Sequence, residues 1–155
     1  MRKLKICFAA SSGGHLNEVM ALKALGDDYD SILITEKTKY KPGAWQKKIY
    51  TVPAVNRSNK LICLLKLCII SCIALFVLCK EKPDMLISTG ALMTCPVCLL
   101  AKIMGKKFVF IESIARIYSG SATGLWAYKR ADLFLVQWES LKKIYPKAVY
   151  TGRLI

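Results

Sequence analysis

The sequence predicts an α/β domain: a doubly wound, Rossmann-like parallel sheet with helices on both faces. Three observations lead there. Short apolar runs rich in Ile, Val and Phe alternate with segments of helical spacing along nearly the whole chain. The helical segments are long enough to serve as right-handed crossovers between parallel strands. The chain has 155 residues, which makes one domain (1–155) with a substantial core.

The elements follow in order. Leu4 to Ala10 is a buried-strand run, and Ser11-Ser12-Gly13-Gly14 is a turn. His15 to Leu25 has helical spacing, with Leu16, Val19, Met20 and Leu22 on one face and Gly26 as its stop. Tyr29 to Thr35 reads as a second strand, Thr38 to Trp45 as a polar loop around Pro42-Gly43, and Lys48 to Val52 as a third strand closed by Pro53. Leu61 to Cys79 is the longest apolar run. Asp84 to Ser88 is a fourth strand. Pro96 to Met104 is a helix with Pro in its first turn and Gly105 past its end. Phe108 to Ile111 is a fifth strand, Ser113 to Thr123 a loop and Gly124 to Lys129 a short helix. Leu133 to Val136 is a sixth strand, and Glu139 to Tyr145 a last short helix.

Composition narrows the function. There are 24 Lys plus Arg against 10 Asp plus Glu, a net charge of +14, yet 54% of residues are hydrophobic. A basic and apolar domain points to an anionic membrane surface. The basic residues are scattered rather than gathered on one aromatic-studded face, so nucleic acid is excluded as the expected partner. Seven cysteines, mostly inside apolar runs, argue against a disulfide framework and for a reducing compartment. Arg2, Lys3 and Lys5 are not followed by an apolar signal segment, so the chain is expected to start, and stay, in the cytoplasm.

In a doubly wound sheet, ligands gather at the carboxyl ends of the strands where strand order reverses. If strands one and four flank that point, the loops there are Ser11 to His15 and Ser88-Thr89-Gly90. Glycines in the first loop let backbone approach a ligand, and the helix N-terminus offers amides to an anion. The plain alternative is a serine-capped turn. The loop matches neither G-x-G-x-x-G nor the P-loop lysine motif, so no nucleotide cofactor is expected. His15 is the chain's only histidine. A helix N-terminus disfavours the imidazolium, leaving a ring able to take a proton from a hydroxyl or bind a phosphate, or simply to pack. Glu112 follows the fifth strand on the same edge, as a candidate base or as an ion-pair partner of Arg116. Ser113 and Arg116 are candidate phosphate ligands beside it. Ser88, Thr89 and Gly90 offer a second phosphate position, or merely a strand exit. Asp84 and Asp132 precede strands and are read as structural. Cys95-Pro96-Val97-Cys98 has redox spacing but reads as packing thiols, and no metal site is expected.

Several segments together carry a resemblance: Lys5-Ile6-Cys7 through Ser11-Ser12-Gly13-Gly14-His15-Leu16; Lys82-Pro83-Asp84 through Ser88-Thr89-Gly90; Ile111-Glu112-Ser113; Ala131-Asp132 through Gln137-Trp138; and Tyr145-Pro146-Lys147-Ala148. In order and spacing they resemble the membrane-anchoring subunit of the two-part UDP-N-acetylglucosamine transferase of lipid-linked oligosaccharide synthesis. They also resemble its bacterial relatives in capsule and exopolysaccharide synthesis. The resemblance implies the N-terminal, acceptor-binding half of a GT-B glycosyltransferase, with a catalytic, nucleotide-sugar-binding partner subunit supplying the other half beyond Thr151 to Ile155. It also implies a lipid-diphosphate-sugar acceptor facing Gly13, Gly14 and His15, as in the distantly related peptidoglycan transferase. The alternative is a non-catalytic anchor with all chemistry in the partner.

As a helix, Leu61 to Cys79 measures about 28 Å, close to the roughly 30 Å of a bilayer core. Lys66 interrupts it, and Arg57, Lys60, Lys80 and Lys82 make both flanks basic. Spanning would separate strands that must share a sheet. The expected arrangement is a crossover helix lying on the cytoplasmic face of the membrane, with Leu67, Ile70, Ile73 and Leu78 toward lipid.

Overall fold

Seven strands form one sheet in the computed structural model, which describes residues 3–37, 47–56 and 58–155. The expected loop Thr38 to Trp45 and the flanking Arg57 lie outside the described residues. The strands are β1 (Lys5–Ala10), β2 (Asp30–Glu36), β3 (Lys48–Val52), β4 (Met85–Gly90), β5 (Lys107–Ile111), β6 (Leu133–Val136) and β7 (Val149–Tyr150). All pair in parallel, in the order β3-β2-β1-β4-β5-β6-β7. Strand order therefore reverses between β1 and β4, the pair singled out from the sequence.

The helices are α1 (Gly14–Ala21), α2 (Lys23–Asp28), α3 (Lys60–Glu81), α4 (Thr94–Ile103) and α5 (Ala122–Tyr128), with a 3₁₀ helix over Glu139–Lys143. Alternate strand residues feed two cores. Ile6, Phe8, Ala10, Leu33 and Ile87 meet Leu16, Val19 and Leu25 of α1 and α2. Cys7, Ala9, Ile34, Leu86 and Phe108 meet Ile70, Val77, Val97 and Ala101 of α3 and α4. That is the doubly wound arrangement expected, with the central strands β1, β2, β4 and β5 buried on both faces and the edge strands β3 and β7 more exposed.

Three local expectations differ. The helix expected over His15 to Leu25 is two helices, broken at Leu22 (φ −90, ψ 14), whose N–H bonds Val19 O. Gly26 does not end it; α2 runs through this buried glycine to Asp28 and stops where Tyr29 turns extended. β7 has two residues, too few to leave a periodic signal. Asp84 and Asp132 are structural, as read: Asp84 Oδ2 accepts Lys5 N–H at 2.9 Å, and Asp132 Oδ2 accepts Phe108 N–H at 2.8 Å. Cys98 is buried, and burial pushes its thiol pKa up, as suits a packing residue.

The 22-residue α3 corrects the expected lipid face. Ile70 and Leu78 are fully buried against the sheet, and Leu67 and Ile73 pack on the same core. A crossover helix must first cover the sheet it crosses, and Ile70, Ala74, Val77, Leu78 and Glu81 form that stripe. The outward apolar residues are Leu61, Ile62, Leu64, Leu65, Ile69, Leu75 and Phe76, with Cys68, Cys72 and Cys79 among them. Leu61, Leu65, Ile69, Cys72 and Phe76 follow one another at helical spacing, so this face is continuous. β3 and β4, which α3 joins, lie in the same sheet, so the helix does not span a bilayer in this fold.

Glu81 fastens the C-terminal end of α3. Its carboxylate receives Lys5 Nζ at 2.5 Å, the Tyr50 hydroxyl, and Lys48 Nζ at 3.2 Å, tying α3 to β1 and β3. The Lys5 hydrogen bond, then that of Tyr50, holds its pKa down to about 2 from an ordinary 4.5. The same bond pushes the Tyr50 hydroxyl up to about 12. A carboxylate depressed by folding stabilises above its unfolded pKa, and that contribution is lost as pH falls through the folded value. The unfolding free energy from urea titrations is therefore expected to drop between pH 4.5 and pH 2, by on the order of 2–3 kcal/mol. Glu81→Gln should be less stable at neutral pH and flatter across this window. A mutant as pH-sensitive as the wild type would show that other carboxylates govern acid unfolding.

Candidate functional site

The loop after β1 is built around two glycines with different reasons. Gly13 has φ 83, a left-handed conformation that favours glycine. Gly14 opens α1 without a left-handed φ, and a Cβ there would meet nothing within 4 Å. The fold does not require glycine at 14; its lack of a side chain leaves open the space before the α1 amides. No side chain caps this helix among the described residues, so its first N–H groups face outward. Glu36, at the end of β2, accepts Ser12 N–H at 3.3 Å, Ser12 Oγ at 3.1 Å and Val55 N–H at 3.1 Å. Ser12 is thus a tether for the loop, and Glu36 is the acid that holds it.

The second loop leaves β4. A bulge opposite Ala9 and Ala10 leaves Thr89 as the extra residue, and Thr89 Oγ1 donates to His15 O at 2.8 Å. Gly90 and Ala91 then adopt φ 110 and φ 85 in succession. Positive φ at alanine is uncommon and costs on the order of 1 kcal/mol or more, a kind of strain that recurs at ligand sites. The His15 ring packs over Gly90: a Cβ there would sit 3.3 Å from its Cε1. Ser11, His15, Glu36, Val55 and Ala91 to Met93 line a cleft of about 240 Å³. That is below the roughly 300–1,000 Å³ of complete ligand pockets, as one wall of a site would be.

The third loop leaves β5 and is held by two buried acids. Glu112 is 1% exposed and receives Ser113 N–H, Ser121 N–H, Ser121 Oγ and, at 2.7 Å, the Tyr145 hydroxyl. Burial and then this bond push the Tyr145 hydroxyl pKa up. The expectation of Glu112 as a base is thereby corrected: its oxygens are occupied by loop donors, and it folds the loop. The alternative pairing with Arg116 is not formed either; Arg116 is exposed. Ser113 is also committed inward, donating to Glu18 Oε1 at 3.2 Å. Ser88 and Thr89 are fully buried; Ser88 Oγ accepts Gly90 N–H at the strand exit and Thr89 Oγ1 is engaged with His15 O, so both hydroxyls serve the scaffold.

Glu18 is not singled out from the sequence. It is 1% exposed, and its Oε1 accepts Ile114 N–H at 2.6 Å and Gln137 Nε2 at 3.3 Å besides Ser113. The available signal was its place three residues after His15, on the same helix face. The structure thus brings Ser11 and His15, the two ends of the glycine loop, to one cleft with Ala91, while Glu112, Ser113, Ser88 and Thr89 are engaged in the scaffold behind it.

A family model described as "Oligosaccharide biosynthesis protein Alg14 like" matches residues 6–154. The chain belongs to the Alg14-like family. It is 39% identical over 82 residues to the human UDP-N-acetylglucosamine transferase subunit ALG14, a match covering 49% of this chain and 38% of the human protein. The same-named subunit of Kluyveromyces lactis is 51% identical over 49 residues, 32% of this chain and 21% of that protein. These matches span well under two thirds of the curated relatives. Among solved structures, MurG of Acinetobacter baumannii aligns with TM-score 0.67 at 18% identity, covering 86% of this chain and 41% of that one. UDP-N-acetylglucosamine 2-epimerase of Rickettsia bellii aligns with TM-score 0.76 at 16% identity, covering 99% and 46%. At such identities the likeness is one of fold: this Alg14-like chain has the Rossmann-like architecture of one half of a GT-B enzyme.

Proposed function

We propose that this chain is the acceptor-side subunit of a two-chain glycosyltransferase of lipid-linked oligosaccharide or polysaccharide synthesis, seated on the cytoplasmic face of a membrane. A partner subunit binds the UDP-sugar. The cleft at His15 receives the diphosphate and first sugar of a lipid-linked acceptor. Gly14 is the observation that carries the reading: a glycine the fold does not need, before uncapped helix amides at the strand-order switch. The relatives' printed name, transferase subunit, supports the division of labour.

In this reading the acceptor hydroxyl attacks the anomeric carbon of the UDP-sugar. The new carbon–oxygen bond forms, the bond to UDP breaks, and His15 Nε2 takes the hydroxyl proton and returns it to water. The α1 amides hold the acceptor phosphate. Co-expression with a nucleotide-sugar-binding subunit should give transfer to a polyprenyl-diphosphate sugar, while the single chain binds UDP-sugar no tighter than millimolar. Micromolar binding by the single chain in calorimetry would overturn the assignment.

The outward face of α3 is the membrane seat. Leu61 and Phe76 are each more than 60% exposed and lie on one stripe. Apolar burial resists salt, whereas attraction of the +14 chain to anionic lipid is screened by it. Leu61→Ser, Leu65→Ser and Phe76→Ser together should release the protein from anionic vesicles at high salt, with an unchanged melting temperature. Ile70→Ser or Leu78→Ser should instead unfold it. Persistent sedimentation of the triple variant with vesicles would place the seat elsewhere.

A further inference from the structure

Two buried side-chain atoms without a hydrogen-bond partner face each other in α1. They are His15 Nδ1 and Glu18 Oε2, 3.6 Å apart. A buried orphan acceptor is costly, and here a single proton serves both. Charge-assisted hydrogen bonds run at about 2.7–2.9 Å, so the pair closes with a side-chain shift of about 0.8 Å.

We infer that Glu18 is a positioning residue that fixes His15 as its Nδ1–H tautomer, keeping Nε2 as the proton acceptor in the cleft. The geometry supplies each part. Nδ1 is buried, with Gly90 beneath it, while 30% of the side chain remains exposed. His15 lines the cleft with its exposed part, and its Nε2 makes no hydrogen bond to a described residue, which leaves that nitrogen free to act there. Glu18 cannot swing away, because its other oxygen is held by Ile114 N–H, Ser113 Oγ and Gln137 Nε2. The loops after β1 and β5 are thereby locked to one carboxylate, one oxygen for each. Glu36, the acid that lines the cleft, is engaged with Ser12 and Val55.

The inference rests on the acceptor-site reading of His15, and the two are separable by experiment. His15 is the only histidine, so ¹⁵N-edited NMR of the full chain's imidazole is unambiguous. At a pH where the ring is neutral, Nδ1 should be of protonated type and Nε2 of unprotonated type. Glu18→Gln retains an oxygen for the loop donors and turns an NH₂ toward Nδ1, so it should invert the tautomer. In the assembled complex the same variant should lower kcat ~10²–10⁴-fold with acceptor KM little changed. A wild-type Nε2–H tautomer, or a tautomer unmoved by Glu18→Gln, overturns the pairing. Should Glu18→Gln fail to fold, the wild-type spectrum alone decides. An inverted tautomer with wild-type kinetics leaves the pairing standing and overturns His15 as the base.

Discussion

Gly124→Ala is expected to destabilise the protein by about 3 kcal/mol or more. A Cβ at Gly124 would lie 1.9 Å from Glu112 Oε2 and 2.8 Å from the Tyr145 hydroxyl. Neither is a loose side-chain end. Glu112 is fixed by donors from Ser113, Ser121 and Tyr145. Tyr145 is fully buried, with its ring 4.6 Å from that of Phe134. Relief requires breaking bonds to a buried carboxylate, which leaves uncompensated polar groups behind. Against a typical stability of roughly 5–15 kcal/mol this is a large loss. Gly14→Ala is the matched control, since its Cβ meets nothing within 4 Å; its change should stay within about 0.5 kcal/mol. Equal urea midpoints for the two variants would refute the packing of Glu112 described above.

The largest effect on activity is expected from His15→Ala in the assembled complex. Loss of a positioned base lowers kcat by ~10²–10⁴, whereas loss of a phosphate contact raises acceptor KM with kcat nearly kept. Partner binding and vesicle attachment should be intact, because His15 lies at the switch point and the apolar face lies on α3. Wild-type kinetics after the substitution would leave the chain as an anchor, with the chemistry in its partner.

The fold and its switch point are legible because they depend on patterns that a linear sequence carries. Continuous apolar runs such as Ile6 to Ala10 mark strands buried on two faces, and the Ser11 to His15 turn between strand and helix marks the switch point. Side-chain direction was less legible. In α3 nearly every position is apolar, so periodicity does not tell the sheet side from the outer side, and Ile70 and Leu78 were assigned to the wrong face. Polar residues were misread for the opposite reason. Glu112 and Glu18 look alike as acids near a cleft, and only the third dimension shows that loop donors surround Glu112 while one oxygen of Glu18 is left facing His15. The gentle break at Leu22 escaped notice because the apolar spacing runs through it.

The central claim is that the acceptor docks on this chain, in the cleft before α1. Photocrosslinking from a polyprenyl-diphosphate sugar carrying its reactive group near the diphosphate tests it most directly, in the assembled complex on vesicles. The expected result is label on the Ser11 to His15 loop and on Ala91 to Met93, competed by unlabelled acceptor and lost in Gly14→Ala. Label confined to the partner subunit, with this chain unmarked, would contradict it.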